Sequence, residues 1–181
     1  AHVLSFRSLK KKLGLSKISI AISGAAPIAP EVLKFFMALG VPIFEAYGMT
    51  ENCAYVTSND FESIEIGSVG RPHANCEIKI ADDGEILTRH GGTFKGYFKD
   101  EQSTREVIDE EGWLHTGDVG EITERGSLII TDRKKDIIMT SGGKNVSPSE
   151  IENKIKASPF IKDALVAVSY THLTLPTKQP V

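Results

Sequence analysis

Residues 112–146 read GWLHTGDVGEITERGSLIITDRKKDIIMTSGGKNV, and the reading of the whole chain turns on them. Thr116-Gly117-Asp118 places one carboxylate at the end of a short apolar run. Further on, Asp132-Arg133-Lys134-Lys135-Asp136 crowds charge between two strand-like runs, 127–130 and 137–139. Ser141-Gly142-Gly143-Lys144 then gives a flexible turn bearing a cation. One carboxylate can accept from both hydroxyls of a ribose, and hydrogen bonds to charged groups are the stronger kind. Arg133 offers a planar donor fork for ribose or phosphate. Lys144 could meet a second phosphate. Each signal alone has a plainer reading: a turn aspartate bonding its own backbone, a solvated charged turn, a hairpin turn.

Working outward, residues 120–123 and 127–131 flank Glu124-Arg125-Gly126, which reads as a hairpin. Residues 77–80 and 85–88 flank Ala81-Asp82-Asp83-Gly84, a second one. Asp100 is placed to cap a short helix over 101–107. This region is expected to be β-rich and antiparallel. Upstream, the run 18–22 reads as a buried strand. Pro30 opens a helix whose apolar face is Val32, Leu33, Phe36, Met37 and Leu39, and Gly40 is placed to end it. Residues 41–44 then read as the next strand, so 18–44 is a βαβ unit with parallel strands. Downstream, Ser147, Pro148 and Glu150 form a capping box, with Ile151 and Ile155 on one face of the helix it starts. A strand at 165–168 is expected to follow. The fold class is α/β of mixed α+β character, with a second small domain beginning near Arg133.

Composition narrows the function classes. The chain has 181 residues, 40% hydrophobic and 25% charged, with a net charge of −3. That is an ordinary globular profile, with no basic stripe for nucleic acid. Cys53 and Cys76 lack metal-ligand spacing and are too few for a disulfide scaffold, which favours a reducing, cytoplasmic setting. His2, His73, His90 and His115 form no metal-ligand pattern either. No apolar run approaches the length of a membrane span. The first residue is not Met and no signal peptide is seen, so the chain reads as part of something longer.

Two further loops carry chemistry-bearing residues. Tyr47-Gly48-Met49-Thr50-Glu51 follows a strand end, where ligands of α/β sheets usually sit. Tyr47 offers a face to an adenine, Thr50 a hydroxyl to a phosphate oxygen, and Glu51 a hard oxygen to Mg²⁺. The plainer reading, weighed equally, is a polar turn with Tyr47 packed in the core. Ser23-Gly24-Ala25-Ala26-Pro27 is a small-residue loop at another strand end, through which a flat base can approach the backbone, although taken alone it reads better as a tight strand-to-helix turn.

Six segments occur in one order: SGAAP at 23–27, YGMTE at 47–51, GSVGRP at 67–72, DDGEILTRHGGTFKGYFK at 82–99, GWLHTGDVG at 112–120 and DRKKDIIMTSGGKNVSPSEIE at 132–152. Together they resemble the AMP-forming acyl-CoA synthetases of the adenylate-forming superfamily, and the long-chain fatty acid branch in particular. The resemblance covers nearly all of 18–168. It implies an enzyme that activates a fatty acid with ATP to an acyl-adenylate and transfers the acyl group to CoA. It also implies site residues. Gly24, Ala25 and Ala26 would line the adenine site, and Tyr47, followed by Gly48 and Met49, would stack on the base. Thr50 would contact phosphate and Glu51 would hold Mg²⁺. Asp118 would bind the ribose, with Ile130 packing nearby and Arg133 touching the nucleotide. Lys135 falls where the family has its hinge, and Ser141, Gly142, Gly143 and Lys144 would shape the CoA passage. In these terms 1–132 is the C-terminal portion of the AMP-binding domain. Residues 133–168 then start a small mobile domain, hinged near 133–136.

The resemblance also implies partners and absences. The family's glycine- and threonine-rich phosphate loop and its C-terminal catalytic lysine do not occur in these residues. Missing N-terminal and C-terminal parts of its own domains are therefore expected, and the 181-residue piece alone is expected to show little adenylation. Peripheral membrane association of the parent is left open, and no nucleic acid partner is expected. Residues 169–181 are expected to be a non-native tail. Residues 168–177 back-translate as GTC TCT TAT ACA CAT CTG ACG CTG CCG ACG, which resembles a transposase sequencing adapter read in frame. The competing readings are another adenylate-former (a luciferase-like oxidase or a carrier-protein adenylation domain) and a non-catalytic nucleotide-binding fragment. A dinucleotide dehydrogenase is disfavoured, since no G-x-G-x-x-G follows the first strand.

Overall fold

The computed structural model describes residues 2–139, 145–156, 158 and 160–167. Helix α1 (His2–Lys12) leads into strand β1 (Ala21–Ser23) and helix α2 (Pro30–Ala38). Pro30 occupies the first turn of α2, where its missing N–H costs nothing. Leu33 and Leu39 are the buried residues of this face, and Gly40 takes the left-handed conformation just past the helix end. Strand β2 (Ile43–Tyr47) then pairs with β1 in parallel, Ile22 opposite Phe44. The βαβ unit is therefore present. Short strands β3 (Thr57–Ser58) and β4 (Arg71–Pro72) complete a sheet of order β1-β2-β3-β4.

The second sheet is antiparallel throughout. It comprises β5 (Glu77–Ile80), β6 (Glu85–Arg89), β7 (Leu114–Ile122) and β8 (Leu128–Arg133), in that order. Both expected hairpins are in it. Helix α3 (Glu101–Val107) is capped by Asp100, whose carboxylate accepts from the Ser103 amide at 2.9 Å. After β8 come the pair β9 (Ile138–Met139) and β10 (Asn145–Val146), then helix α4 (Pro148–Lys156). Ser147 caps α4 by accepting from the Glu150 amide at 3.2 Å. The Glu150 carboxylate turns instead to Lys154, at 2.6 Å.

A core of Tyr47, Val56, Ile86 and Leu128 joins the two larger sheets, with Val69, Ile78, Ile80 and Ile130 packed against it. Burying each large apolar side chain is worth about 1.5–3 kcal/mol. The joint between the sheets, rather than either hairpin, therefore holds the site's parts in register.

Three expectations fail. The first strand lies at 21–23 and is not buried: Ile20 and Ile22 are 57% and 69% exposed. β1 ends its sheet, with β2 its only strand partner among the described residues, and only Ile22 of its three residues is exposed. Val32 and Met37 of the expected apolar face of α2 are exposed too, together with Phe35. Ile151 and Ile155 form a stripe on α4, as expected, but both are exposed. Leu165, Val166 and Ala167 form no strand, and Val168 lies outside the described residues. No strand among the described residues lies beside this run, and the Val166 amide donates to Glu152 Oε1 at 2.8 Å instead. Among the described residues no helix is long and apolar enough to cross a membrane.

Candidate nucleotide site

Strand β2 delivers Tyr47 to its C-terminal end, and a tight loop follows. A 3₁₀ turn at Thr50–Asn52 is closed by the buried Asn52, which accepts from the Met49 amide at 2.7 Å. The chain then doubles back through Cys53 and Ala54, both left-handed (φ 57° and 51°). Such conformations cost non-glycine residues about 1–2 kcal/mol each and are tolerated where the surroundings impose them. Gly48 is required here. A Cβ at that position would sit 2.3 Å from the Ala54 carbonyl carbon. The loop exposes Thr50, while Glu51 is strapped to the segment 94–97. The Glu51 carbonyl accepts from the Phe94 amide at 2.7 Å, and its Oε1 accepts from the Tyr97 hydroxyl at 2.9 Å.

Beside this loop lies Asp118, 5% exposed, in the middle of β7. Gly117, left-handed at φ 70°, lets the strand turn the carboxylate inward. Tyr47 donates its hydroxyl to Asp118 Oδ2 at 2.7 Å. Burial first, and the Asp118 charge next, push the Tyr47 phenol well above its ordinary pKa, so it stays a neutral donor. Arg133, the cross-strand neighbour of Asp118, brings Nε to Oδ1 at 2.8 Å. An ionised carboxylate has about four lone-pair sites. Two are filled by described residues, which leave one on each oxygen for two further donors. Arg133 is about half exposed, so part of its fork also remains available. Ile130 packs against the core next to Tyr47.

The 23–27 loop joins the same corner. It leaves β1 parallel to β2, and a Cβ on Gly24 would lie 3.2 Å from the Ala46 carbonyl oxygen. Ala25 is left-handed at φ 66°, and Ala26 follows it in an exposed turn. Gly24, Tyr47, Asp118, Ile130 and Arg133 are thus drawn together from segments far apart in sequence. Tyr47 is buried in the core, which is the plainer of the two readings of YGMTE at that position. Lys135 is exposed in the turn at 134–136, directly after β8. Ser141, Gly142, Gly143 and Lys144 lie outside the described residues. Among the described residues no group of three or more His, Cys, Asp or Glu is placed to hold a metal ion.

Sequence reasoning passed over several partners. Asp132 is buried and takes three hydrogen bonds from the start of α4: Ser147 Oγ at 2.6 Å, Ser149 N at 3.2 Å and Ser149 Oγ at 2.9 Å. Burial alone would raise its pKa, but the Ser147 hydroxyl, the Arg133 amide and Ser149 outweigh that and hold it low. Glu85, also buried, accepts from the Gly117 amide at 2.9 Å and pairs with Lys134 at 2.8 Å. Tyr97 reaches Glu51. A charge opening a strand, as Glu85 does after the DDG turn, was the only hint available.

The sequence profile described as "AMP-binding enzyme" matches residues 2–98, more than half of the chain. The chain belongs to that family. Among AMP-binding relatives, the long-chain-fatty-acid–CoA ligase FadD15 of Mycobacterium bovis is 42% identical over 163 residues, covering 90% of this chain and 27% of the relative. The long-chain-fatty-acid–CoA ligase ACSBG2 of Xenopus laevis is 39% identical over 172 residues, covering 92% of this chain and 23% of its own length. The chain thus spans about a quarter of the curated relatives it matches. Among solved structures, o-succinylbenzoate CoA synthetase (MenE) of Bacillus subtilis, in complex with the acyl-adenylate OSB-AMP, superposes with a TM-score of 0.81. It is 30% identical, covering 93% of this chain and 37% of that one. The mixed α/β architecture is therefore that of the adenylate-forming AMP-binding enzymes.

Proposed function

We propose that this chain is the nucleotide-gripping and hinge segment of an ATP-dependent, AMP-forming acyl-CoA synthetase that acts on a long-chain fatty acid. The observation that carries this is Asp118, fixed from two sides by Tyr47 and Arg133 with an open lone pair on each oxygen. In the reaction, a fatty acid carboxylate oxygen bonds to the α-phosphorus of ATP and pyrophosphate leaves. The sulfur of CoA then bonds to the acyl carbon and AMP leaves. Asp118 accepts from the ribose hydroxyls, and Arg133, anchored by the same carboxylate, directs its remaining N–H groups to the nucleotide. Gly24, Ala25 and Ala26 form the small-residue wall for the base beside Tyr47. Thr50 is exposed for a phosphate oxygen. The long-chain-fatty-acid–CoA ligases among the relatives support the substrate class.

The residues fit Mg²⁺ in one respect. Tyr97 occupies Oε1 of Glu51, and Oε2 is left as a single hard oxygen ligand, which suits an ion bound mainly by phosphate and water. Bound there, Mg²⁺ would neutralise charge on the phosphates. The turn at Lys135 would let the following segment, with Gly142, Gly143 and Lys144, move to receive CoA. The test is the complete enzyme carrying Asp118→Ala, with ATP–pyrophosphate exchange as readout. ATP KM is expected to rise strongly while fatty acid KM holds. An unchanged ATP KM overturns the ribose assignment.

A further inference from the structure

Glu85 is the most deeply embedded carboxylate near the site that the reaction above does not use. It is 5% exposed, and both of its oxygens are engaged. Oε1 accepts from the Gly117 amide at 2.9 Å. Oε2 accepts from Lys134 Nζ at 2.8 Å and lies 3.2 Å from His115 Nδ1. Lys134 is also held by Asp83 at 2.7 Å, and His115 Nε2 lies 3.7 Å from Asp109. A buried charge is costly unless it is paired and hydrogen-bonded, and here it is fully so.

The partners of Glu85 have a pattern. Gly117 and Lys134 are the chain neighbours of Asp118 and Arg133. The two strands therefore carry paired contacts one residue apart: Asp118 to Arg133 through side chains, and Gly117 to Lys134 through Glu85. The Gly117 carbonyl closes the square by accepting from the Lys134 amide at 2.8 Å. A Cβ on Gly117 would meet nothing within 4 Å, so the residue is set by its backbone hydrogen bonds, the amide to Glu85 and the carbonyl from Lys134. Gly117 is the left-handed residue that delivers Asp118, and its amide bond to Glu85 adds to the contacts that set this turn.

We propose that Glu85 is a positioning residue for the nucleotide grip, fixing Asp118 and Arg133 together by anchoring the Gly117 amide and the Lys134 ammonium. This rests on the ribose role of Asp118 proposed above. Glu85 touches no substrate. It aims the groups that do.

The experiment compares Glu85→Gln, Lys134→Met, their double variant and Asp118→Ala in the complete enzyme. The readouts are separate KM values for ATP and for fatty acid, kcat, and thermal melting. Losing one charge-assisted contact predicts a rise in ATP KM of roughly ten-fold for Glu85→Gln, with fatty acid KM unchanged. Lys134→Met, a change at a half-exposed side chain, is expected to raise ATP KM in the same direction. The double variant should fall short of the product of the two. A merely structural Glu85 would lower the active fraction, and so kcat, without moving ATP KM. That result overturns the proposal. If Glu85→Gln does not fold, Lys134→Met with unaltered ATP KM overturns it equally. If Asp118→Ala itself leaves ATP KM unchanged, the ribose reading fails. If Asp118→Ala raises ATP KM and the Glu85 and Lys134 variants do not, only the positioning role fails.

Discussion

The Tyr47 hydroxyl and the Asp118 carboxylate, 71 residues apart in sequence, meet at 2.7 Å inside the joint between the two larger sheets. One contact thereby couples the core to the candidate site. Tyr47→Phe keeps the ring and removes only the donor. A buried hydrogen bond to a charged acceptor is worth about 1.5–3 kcal/mol, and a loss of that size is expected in urea denaturation. ATP KM should rise with it. An unshifted denaturation midpoint would mean the bond contributes nothing.

Arg133→Lys keeps the charge and discards the planar fork. Arg133 is about half exposed, so stability should barely change. Nucleotide affinity should drop several-fold, because an ammonium lacks the planar fork that meets Asp118 through Nε while aiming separate N–H groups at a ligand oxygen. Isothermal titration of AMP against both forms decides it. Equal affinity would place Arg133 outside the site.

Gly48→Ala and Ala54→Gly act on one close approach from its two sides. The first forces a methyl into the Ala54 backbone at 2.3 Å, and loss of the fold is expected. The second removes a left-handed penalty of about 1–2 kcal/mol, offset in part by glycine's chain entropy. Ala54→Gly should therefore melt no lower than wild type. A clear drop in melting temperature would show that the Ala54 methyl has a packing role.

Asp132 gives a pH signature. Its folded pKa lies below the ordinary carboxylate value of about 3.9. The sign follows: its stabilisation is complete above the unfolded pKa and is lost as pH falls through the folded one. Protection from hydrogen exchange in the first turn of α4 should therefore fall below about pH 4, more than in β6 or β7. Asp132→Asn should show the lower protection already at neutral pH. Identical profiles for the two proteins would remove Asp132 as the cause.

Lys135→Pro stiffens the turn after β8. In the complete enzyme, thioester formation is expected to suffer more than adenylation, measured as separate half-reactions. Equal losses in both would count against a pivot at Lys135.

The elements legible in the sequence were those written locally. Pro30 and Gly40 bound α2, Asp100 caps α3, and the DDG and ERG turns close the two hairpins. The meeting of Tyr47 with Asp118 was legible only through the resemblance, since no local rule links residues so far apart. Burial was misread at Ile20 and Ile22, because an apolar pattern records that a face wants covering and not what covers it. Glu85 and Lys134 escaped notice for a related reason. A salt bridge between the start of one strand and the end of another leaves no period in the chain.

Asp132 sits on the near side of the turn at Lys135, while the serines it binds open a helix on the far side. A swing about Lys135 that carried α4 away would have to unfasten those three hydrogen bonds in one movement. Were the segment beyond the turn to pivot there, these bonds would be a catch beside the joint. Its resting pose would then resist small displacements, as a door on a latch stays shut in a draught.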